Sequence, residues 1–361
     1  LSHADLLKHH HAVIYAVGAP GDRRLDIDGM DLPGAATATE AVAWINGHPD
    51  FAHHRVDLGH PRAVIIGNGN VALDVARILT ADPESLAATD ISDTALGVLR
   101  SSAIREVVVA ARRDPIDSAF TLPELIGLTG GAEVVLDAAD HELVRADLQA
   151  AGDPGTRAKL QILAGLPDAT RESAGPRIRL AYRLSPMRVL GTRRVEGVEF
   201  ARSGGTQTAT LDAGLVLSSI GYRGAPIPGL PFDESAAVVP NTAGRVVPGV
   251  YVAGWIKRGP TGFIGTNKSC AMQTVASLVD DFNAGLLDQP AGRSGDFAKL
   301  MRRRRPDLVD GDGWRAIDEA EIARGAALGR PRVKFTSVPE MLAAAQRRPA
   351  RSRRLSLPRG R

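Results

Sequence analysis

The most constraining feature of this sequence is a glycine-rich turn between an apolar strand and an amphipathic helix. The strand pattern at 64–66 runs into Gly67-Asn68-Gly69-Asn70-Val71-Ala72, and a helical apolar spacing follows over 73–79. The first glycine permits the tight turn, the second lets the backbone approach a pyrophosphate, and Ala72 lets the helix lie close to the strand. Because the helix amino end faces the phosphate charge, the sequence predicts a dinucleotide site at Gly67, Asn68, Gly69, Asn70 and Val71.

Two arginines at the end of the next predicted strand bear on the choice of coenzyme. Arg112 and Arg113 directly follow the apolar run at 105–111. An acidic residue there would bind the ribose 2'-hydroxyl, whereas arginines pair with a 2'-phosphate by charge and bidentate geometry. NADP(H) is therefore favoured, and a merely solvated strand end is the alternative. Residues 82–103 predict a helical insertion in the crossover, with Asp90 and Ser92 as possible caps.

A second glycine-rich stretch, at 252–268, predicts a second ligand site. Its glycines at 254, 259, 262 and 265 leave a loop with few side chains. Thr266 and Asn267 are expected to open a helix over 269–283, whose amino end can receive an anion or the edge of a ring. Between the two sites, a period of two predicts strands at 177–184, 195–200 and 215–221 of a mixed sheet.

Composition bounds the class of protein. The 361 residues, 44% of them hydrophobic, are enough for two domains with their own cores. The single cysteine, Cys270, excludes an internal disulfide and a dithiol redox pair. Without a membrane span or a signal peptide in the sequence, the cytoplasm is the expected location. The histidine tract at 9–11 leads straight into a predicted strand at 12–18, and no metal site is expected.

The basic character of the chain resides in its last residues. From Arg347 onward there are seven arginines and no acid, and removing them would change the formal net charge from +3 to −4. The body is not basic, so no nucleic-acid partner is expected. The segment 343–361 is poor in apolar residues and is predicted to be a disordered basic tail, either without function or serving as an electrostatic docking tail.

Taken together, these motifs identify a resemblance to a known family. The chain resembles the adrenodoxin-reductase-like ferredoxin–NADP reductases common in actinobacteria, over residues 1 to about 342. The residues that carry the resemblance lie in four stretches, at 67–77, 112–121, 219–223 and 254–260, and the last of these is the most specific.

The resemblance implies a flavoprotein that passes electrons between NADPH and a ferredoxin through FAD. By the family pattern, 67–72 hold the NADP pyrophosphate and Arg112 with Arg113 the 2'-phosphate. Gly254 and Trp255 belong to the cofactor loop, with Trp255 beside the nicotinamide, and Gly262, Phe263 and Ile264 lie against the flavin ring. Hydride transfer needs the nicotinamide close to the flavin with water excluded, and a loop of this composition suits that need.

The sequence also departs from the family pattern. The family opens with a strand and a glycine loop for the FAD pyrophosphate, and this sequence begins after them, so the chain is expected to bind FAD poorly. The family commonly carries a second glutamate where Gly127 stands here, one helical turn after Glu124. Glu124 therefore remains the one candidate for proton handling near the nicotinamide, and Trp255 the other candidate catalytic residue.

We thus expect an α/β protein with two Rossmann-like dinucleotide-binding domains, the NADP domain being inserted in an incomplete FAD domain. The predicted limits are 1–60 and 221–342 for the FAD domain and 61–220 for the NADP(H) domain, in a monomer. The expected function is an NADPH-dependent flavoprotein oxidoreductase acting on a ferredoxin. Two alternatives stay open: a piece of a larger ferredoxin-reductase fusion polypeptide, and a catalytically inactive remnant that only binds NADP(H).

Overall fold

The computed structural model describes residues 1–54, 56–202, 207–262 and 264–346. They form two compact units. The smaller unit comprises Leu1–Arg24 and Gly221–Leu308, and the larger comprises Leu25–Ile220 and the described residues from Val309 onward. Residues 25–60 group with the larger unit because strand 35–37 pairs within its sheet.

The described residues hold fourteen strands, thirteen α-helices and two short 3-10 helices, Pro49–Phe51 and Pro115–Asp117. The strands are β1 Val13–Tyr15, β2 Gly21–Asp22, β3 Ala35–Thr37, β4 Arg62–Ile66, β5 Glu106–Ala110, β6 Glu133–Leu136, β7 Arg177–Ala181, β8 Leu184–Leu190, β9 Gly197–Arg202, β10 Thr208–Asp212, β11 Leu215–Ser218, β12 Tyr222–Arg223, β13 Arg245–Val247 and β14 Val250–Val252. The helices are α1 His3–Leu7, α2 Ala38–Ile45, α3 Asn70–Thr80, α4 Pro83–Ala87, α5 Asp93–Arg100, α6 Leu122–Gly131, α7 Ala138–Ala150, α8 Pro154–Ala164, α9 Trp255–Arg258, α10 Ile264–Asn283, α11 Ser294–Arg304, α12 Gly311–Ala326 and α13 Val338–Gln346.

A six-stranded parallel sheet forms the centre of the larger unit, in the order β3-β11-β4-β5-β7-β6. After the charged residues Arg62 and Glu106 at their amino ends, β4 and β5 are apolar because both faces of the sheet are covered. Ile65 and Val107 pack into the core on the helical side, whereas Val64 and Val108 pack with Phe200 of β9 on the other. This arrangement of a parallel sheet with crossover helices confirms the predicted α/β class.

The antiparallel sheet β10-β9-β8 covers one face of the parallel sheet. The sequence predicted only its middle strand, because β8 contains Pro186 and β10 is half exposed, so neither carries a clean apolar alternation. The predicted strand 177–184 is in fact two strands, β7 and β8, separated at Tyr182 and Arg183. The strand predicted at 215–221 ends at Ser218, and Gly221 follows with a positive φ of 101°.

The helical insertion predicted between β4 and β5 is confirmed as α4 and α5. Ser92 caps α5 by accepting a hydrogen bond from the Ala95 amide at 3.2 Å. Asp82 caps α4, with the Glu84 amide 3.1 Å from its side chain. The expectation for Asp90 was wrong, because its carboxylate is paired with Lys334 at 3.0 Å instead.

A buried carboxylate ties the amino ends of three strands of the parallel sheet together. Glu106, at the start of β5, lies 2.7 Å from Arg62 Nε of β4 and 2.9 Å from Arg177 Nη2 of β7. Arg179 Nη2 is 3.7 Å from the same carboxylate. Burial opposes ionisation of Glu106, but Arg179, Arg62 and Arg177 outweigh it and hold its pKa below the ordinary value.

The smaller unit is built on the three-stranded sheet β1-β14-β13. β1 is shorter than the strand predicted at 12–18 and runs parallel to β14. The sheet is joined to α10 by the carboxylate of Asp281, which is buried. It accepts hydrogen bonds from the Tyr251 hydroxyl at 2.6 Å and from Arg245 Nε at 2.7 Å, and the two donors lower its pKa.

The carboxyl-terminal end of the described chain differs from the expectation. The sequence predicts a disordered tail from residue 343, but residues 343–346 form the last turn of α13, where Ala344 is buried. Residues 347–361, which carry the seven arginines, lie outside the described residues. Of the helices in the described part of the chain, none is both long and apolar enough to cross a membrane.

Candidate functional site

The predicted glycine turn lies at the carboxyl end of β4. Gly67 has a φ of 113°, a conformation that favours glycine, and its amide donates to Ala110 O of β5 at 2.8 Å. A Cβ atom at this position would lie 2.2 Å from Ser219 O, immediately after β11. The turn therefore fits between two neighbouring strands only because residue 67 has no side chain.

The amino end of α3 is open for a ligand. Gly69 is its N-cap residue and makes no side-chain cap, so amides of the first turn are left for another acceptor. A Cβ atom at Gly69 would meet nothing within 4 Å. Ala72, fully buried, packs the helix against the sheet. An uncapped helix end beside open space fits a pyrophosphate.

Asn68 and Asn70 connect the glycine turn to the loop after β5. Asn70 Oδ1 accepts a hydrogen bond from the Thr121 amide at 2.8 Å, and its Nδ2 lies 3.4 Å from Thr121 Oγ1. Asn68 Oδ1 accepts from the Ala119 amide at 3.4 Å. Both residues belong to the predicted pyrophosphate turn, and their side chains hold residues 119–121 beside it.

Arg112 and Arg113 leave the sheet at the same edge as the glycine turn, because Ile66 of β4 is paired with Ala110 of β5 in parallel register. Both arginines are exposed. Arg113 Nη1 lies 3.6 Å from the Asp117 carboxylate in a half-exposed pair. The structure thus brings the predicted pyrophosphate turn and the predicted 2'-phosphate arginines to one edge of one sheet.

Two side chains that were not among the predicted site residues form hydrogen bonds to the backbone of the loop 112–121. Lys159 of α8 donates to Ser118 O at 2.9 Å and to Phe120 O at 3.3 Å, and burial lowers its pKa. Asp147 of α7 accepts from the Ile116 amide at 2.8 Å, and burial raises its pKa. Both lie on helices that are rich in polar residues. Only the three-dimensional contact distinguishes them.

A buried acid, Asp140 of α7, also lies close to this loop. Its Oδ1 is 3.4 Å from the Tyr182 amide, and Tyr182 in turn bonds to Ser118 through its hydroxyl at 3.0 Å. Burial, with a smaller contribution from the charge of Asp137, raises the pKa of Asp140 to about 7. Asp140 is thus a buried carboxyl that takes up a proton near neutrality.

The raised pKa of Asp140 gives the first prediction. The pKa of Asp140 is higher in the folded protein than in the unfolded chain. The contribution of Asp140 to the free energy of unfolding is therefore expected to rise as the pH falls from about 7 towards 4. Asp140→Asn should remove this rise and should stabilise the protein at pH 8. Thermal unfolding between pH 5 and pH 8 measures both effects. Glu142→Gln, an equal change of charge on the exposed side of the same helix, is the control and should leave the pH profile unchanged.

Glu124 lies in the first turn of α6, whose N-cap residue Thr121 is hydrogen-bonded to Asn70 of the glycine turn. Its side chain lines a polar cavity of about 300 Å³ between α3 and α6. Asp74 and Arg77 of α3, which form an ion pair at 2.8 Å, line the same cavity. A Cβ atom at Gly127 would meet nothing within 4 Å, so the cavity has room for the additional glutamate of the family pattern.

In the smaller unit, Gly254 and Trp255 follow β14. Gly254 has a φ of 74° and is the N-cap of α9, the short helix that Trp255 begins. The Trp255 ring is 5.5 Å from that of Tyr222, at an interplanar angle of 30°. Its indole Nε1 is buried and finds no acceptor among the residues described. A half-buried indole with an unused donor is suited to a bound aromatic ligand.

The remaining predicted residues of this unit lie around the start of α10. Gly262 has a φ of 77°, and a Cβ atom there would lie 2.6 Å from Thr266 Oγ1. The expectation that Thr266 opens a helix at 269 was wrong: α10 begins at Ile264, so Thr266 packs in its first turn against Gly262. Phe263 lies outside the described residues.

The histidine tract has ordinary neighbours. His9 and His10 pack against the Phe297 ring, with centroid distances of 5.6 and 4.6 Å. His11 Nε2 lies 3.1 Å from Gln289 Oε1. His9 Nδ1 is buried and has no hydrogen-bond partner among the described residues.

No family model matches the chain, but comparison with known proteins finds similar reductases. The chain is 65% identical over 360 residues to a probable ferredoxin/ferredoxin–NADP reductase of Mycobacterium tuberculosis, covering 97% of this chain and 63% of that protein. It is 39% identical over 368 residues to the mitochondrial NADPH:adrenodoxin oxidoreductase of Homo sapiens, covering 94% of this chain and 74% of the human protein.

A solved structure agrees with these relatives. Mycobacterium tuberculosis FprA in complex with NADPH matches with a TM-score of 0.87 at 41% identity, over 95% of this chain and 80% of that chain. The chain thus spans less than two thirds of the length of its 65% identical relative, and about four fifths of the FprA chain.

Proposed function

Because the chain belongs to the family of adrenodoxin-reductase-like ferredoxin–NADP reductases, we propose that it is the NADPH-oxidising part of a flavoprotein that transfers electrons to a ferredoxin. The observation that carries this proposal is the edge of the parallel sheet where the uncapped α3 and the two arginines after β5 meet. The division into an NADP(H) domain and a FAD domain, the monomeric state and the cytoplasmic location stay predictions.

The binding of NADP(H) follows from the chemistry of the larger unit. The amides of the first turn of α3 and the bare backbone at Gly69 would hold the pyrophosphate. Arg112 and Arg113 would bind the 2'-phosphate. The loop that follows them is held in place before the nucleotide binds, because its amides at 119 and 121 donate hydrogen bonds to Asn68 and Asn70. A loop positioned before the ligand arrives costs less ordering entropy on binding.

The flavin is assigned to the smaller unit. Gly254, Trp255, Gly262 and Thr266 would meet its ring. The assignment of Phe263 and of the Ile264 side chain to the same ring stays a prediction, because both lie outside the described part of the chain. A flavin held by these residues would supply the chemistry that links two-electron oxidation of NADPH to one-electron reduction of an iron–sulfur protein. In this scheme the Trp255 indole orients the ring and excludes water, and its free Nε1 is available to donate a hydrogen bond. Glu124 stays a candidate for proton handling.

Coenzyme choice provides the second prediction. Arg112→Ala together with Arg113→Ala should weaken NADPH binding by about 2–4 kcal/mol, because two charge-assisted contacts to the 2'-phosphate are lost. NADH, which lacks that phosphate, should bind nearly as before. Calorimetric titration of both nucleotides measures the difference. Equal losses for the two would contradict the assignment of this loop.

The function itself is tested by electron transfer. The purified protein, with FAD supplied, should reduce ferricyanide and a [2Fe–2S] ferredoxin with NADPH and much more slowly with NADH. Selective NADPH binding without reduction would favour a remnant that only binds the nucleotide. Electron transfer that appears only when a ferredoxin domain is joined to this chain would favour the alternative that the chain is a piece of a larger fusion polypeptide.

A further inference from the structure

A third arginine lies at the sheet edge that holds Arg112 and Arg113. β7 is the parallel neighbour of β5, with Ala181 opposite Ala110, so residues after β7 leave the sheet beside the residues after β5. The amide of Arg183 donates to Arg113 O at 3.3 Å, and the next amide, of Leu184, donates to Ala111 O at 2.9 Å. The backbone of Arg183 therefore contacts the backbone of Arg113 directly.

The conformation of Arg183 is unfavourable for an arginine. Its φ is 56°, a left-handed value that glycine or asparagine adopts at lower cost. Residues held in such conformations against their own preference are common at ligand sites. The strained backbone turns the side chain of Arg183 towards the loop after β5, where it meets Asp114.

The guanidinium of Arg183 is held along one edge only. Its Nε donates to Asp114 Oδ1, and its Nη2 donates to Asp114 Oδ2 at 3.1 Å. Within the described parts of the chain, no hydrogen bond is found for Nη1. The side chains of Arg183 and Asp114 are 44% and 33% exposed, so a ligand can reach the remaining N–H groups. A guanidinium with one edge paired and the other open can still bind a phosphate.

Charged side chains of both signs surround this edge of the sheet. Arg112, Arg113 and Arg183 face two acids of the same loop, Asp114 and Asp117, which pair with Arg183 and Arg113 respectively. Asp147 of α7, which accepts from the Ile116 amide of this loop, also acts on Arg183, so these three arginines and three acids carry no net charge before a ligand binds. A 2'-phosphate would bring close to two negative charges, which three guanidiniums neutralise better than two.

We propose that Arg183 is a third cationic ligand of the NADP(H) 2'-phosphate, and that Asp114 holds its guanidinium in place for this contact. The proposal rests on the proposed function and adds a specificity-determining residue to it. Arg183 should then raise the preference for NADP(H) over NAD(H) and leave binding of the rest of the nucleotide unaffected.

Two substitutions of Arg183 separate binding from folding. Arg183→Ala removes the guanidinium and keeps the left-handed strain, whereas Arg183→Gly removes both. Each variant should bind NADP⁺ about tenfold more weakly, as expected for one charge-assisted phosphate contact, and NAD⁺ within twofold of the unsubstituted protein. Arg183→Gly should unfold at a temperature no lower than Arg183→Ala. Arg188→Ala, which removes an exposed arginine paired with Glu199 in the neighbouring sheet, is the matched control and should change neither affinity.

The measurement is calorimetric titration with NADP⁺ and NAD⁺. The proposal is overturned if NADP⁺ binding by both variants stays within twofold of the unsubstituted protein, or if NAD⁺ weakens as much as NADP⁺. The double variant Arg112→Ala, Arg113→Ala distinguishes a failure of the Arg183 proposal from a failure of the proposed NADP(H) site. If the double variant loses its preference for NADP⁺ and the Arg183 variants keep theirs, only the third contact is wrong.

Discussion

Replacing Gly67 with alanine is expected to lower the free energy of unfolding by about 3 kcal/mol and to abolish NADP(H) binding. The added Cβ atom would lie 2.2 Å from Ser219 O and 2.8 Å from its carbonyl carbon, and backbone atoms cannot move aside as a flexible side chain can. The φ of 113° adds strain for any residue with a side chain. Urea unfolding and nucleotide titration measure the two effects.

Gly69→Ala is the matched control for this experiment. The same methyl group would meet nothing within 4 Å, and the φ of −81° is one that alanine adopts freely. The cost to stability should stay at or below about 1 kcal/mol, the usual difference between alanine and glycine at an N-cap. NADP(H) binding should still weaken, because the methyl group occupies the space assigned to the pyrophosphate. Equal destabilisation by the two substitutions would refute this explanation of the turn.

The substitution Glu106→Gln is expected to lower the free energy of unfolding by about 3–5 kcal/mol, because it removes the charge that three arginines share in a largely buried position. The carboxylate side chain is only 8% exposed. Since the folded pKa of Glu106 lies below the unfolded one, its contribution is complete above the unfolded pKa and is lost as the pH falls through the folded value. The stability difference between the two proteins should therefore shrink in acid.

Glu84→Gln provides the control for Glu106. Its carboxylate pairs with Arg100 at 2.8 and 3.1 Å, a similar two-bond geometry, but it is 66% exposed. Solvent screens such a pair, so no measurable change in the unfolding midpoint is expected. If Glu106→Gln proved as harmless as Glu84→Gln, burial would not be what makes the cluster at the strand ends important.

The sequence could predict those features that are determined by residues close together along the chain. The turn at Gly67, the helices of the crossover and the arginines after β5 each follow from a short run of residues with a recognisable pattern. The start of α10 was misplaced because Gly262 and Thr266 pack on each other, which no helix signal encodes.

The supporting contacts of the site could not be predicted, because they join distant segments. Lys159 lies about 40 residues from the two carbonyls that it binds, and Asp147 about 30 from the Ile116 amide. Arg183 carries a readable signal, since it follows a strand as Arg112 does. It was missed because the apolar alternation continues through Leu184, which concealed the break between β7 and β8.

The position of β11 in the sheet has a consequence for synthesis of the protein. β11 comes last of the six parallel strands along the chain, yet it lies between β3 and β4, the first two. At ribosomal rates of about 5–20 residues per second, the roughly 150 residues that separate β4 from β11 take about 8–30 s to make. Throughout that interval one edge of β4 lacks its partner, and unpaired edges bind other chains. The nascent chain is therefore most in need of a chaperone between the emergence of β4 and that of β11.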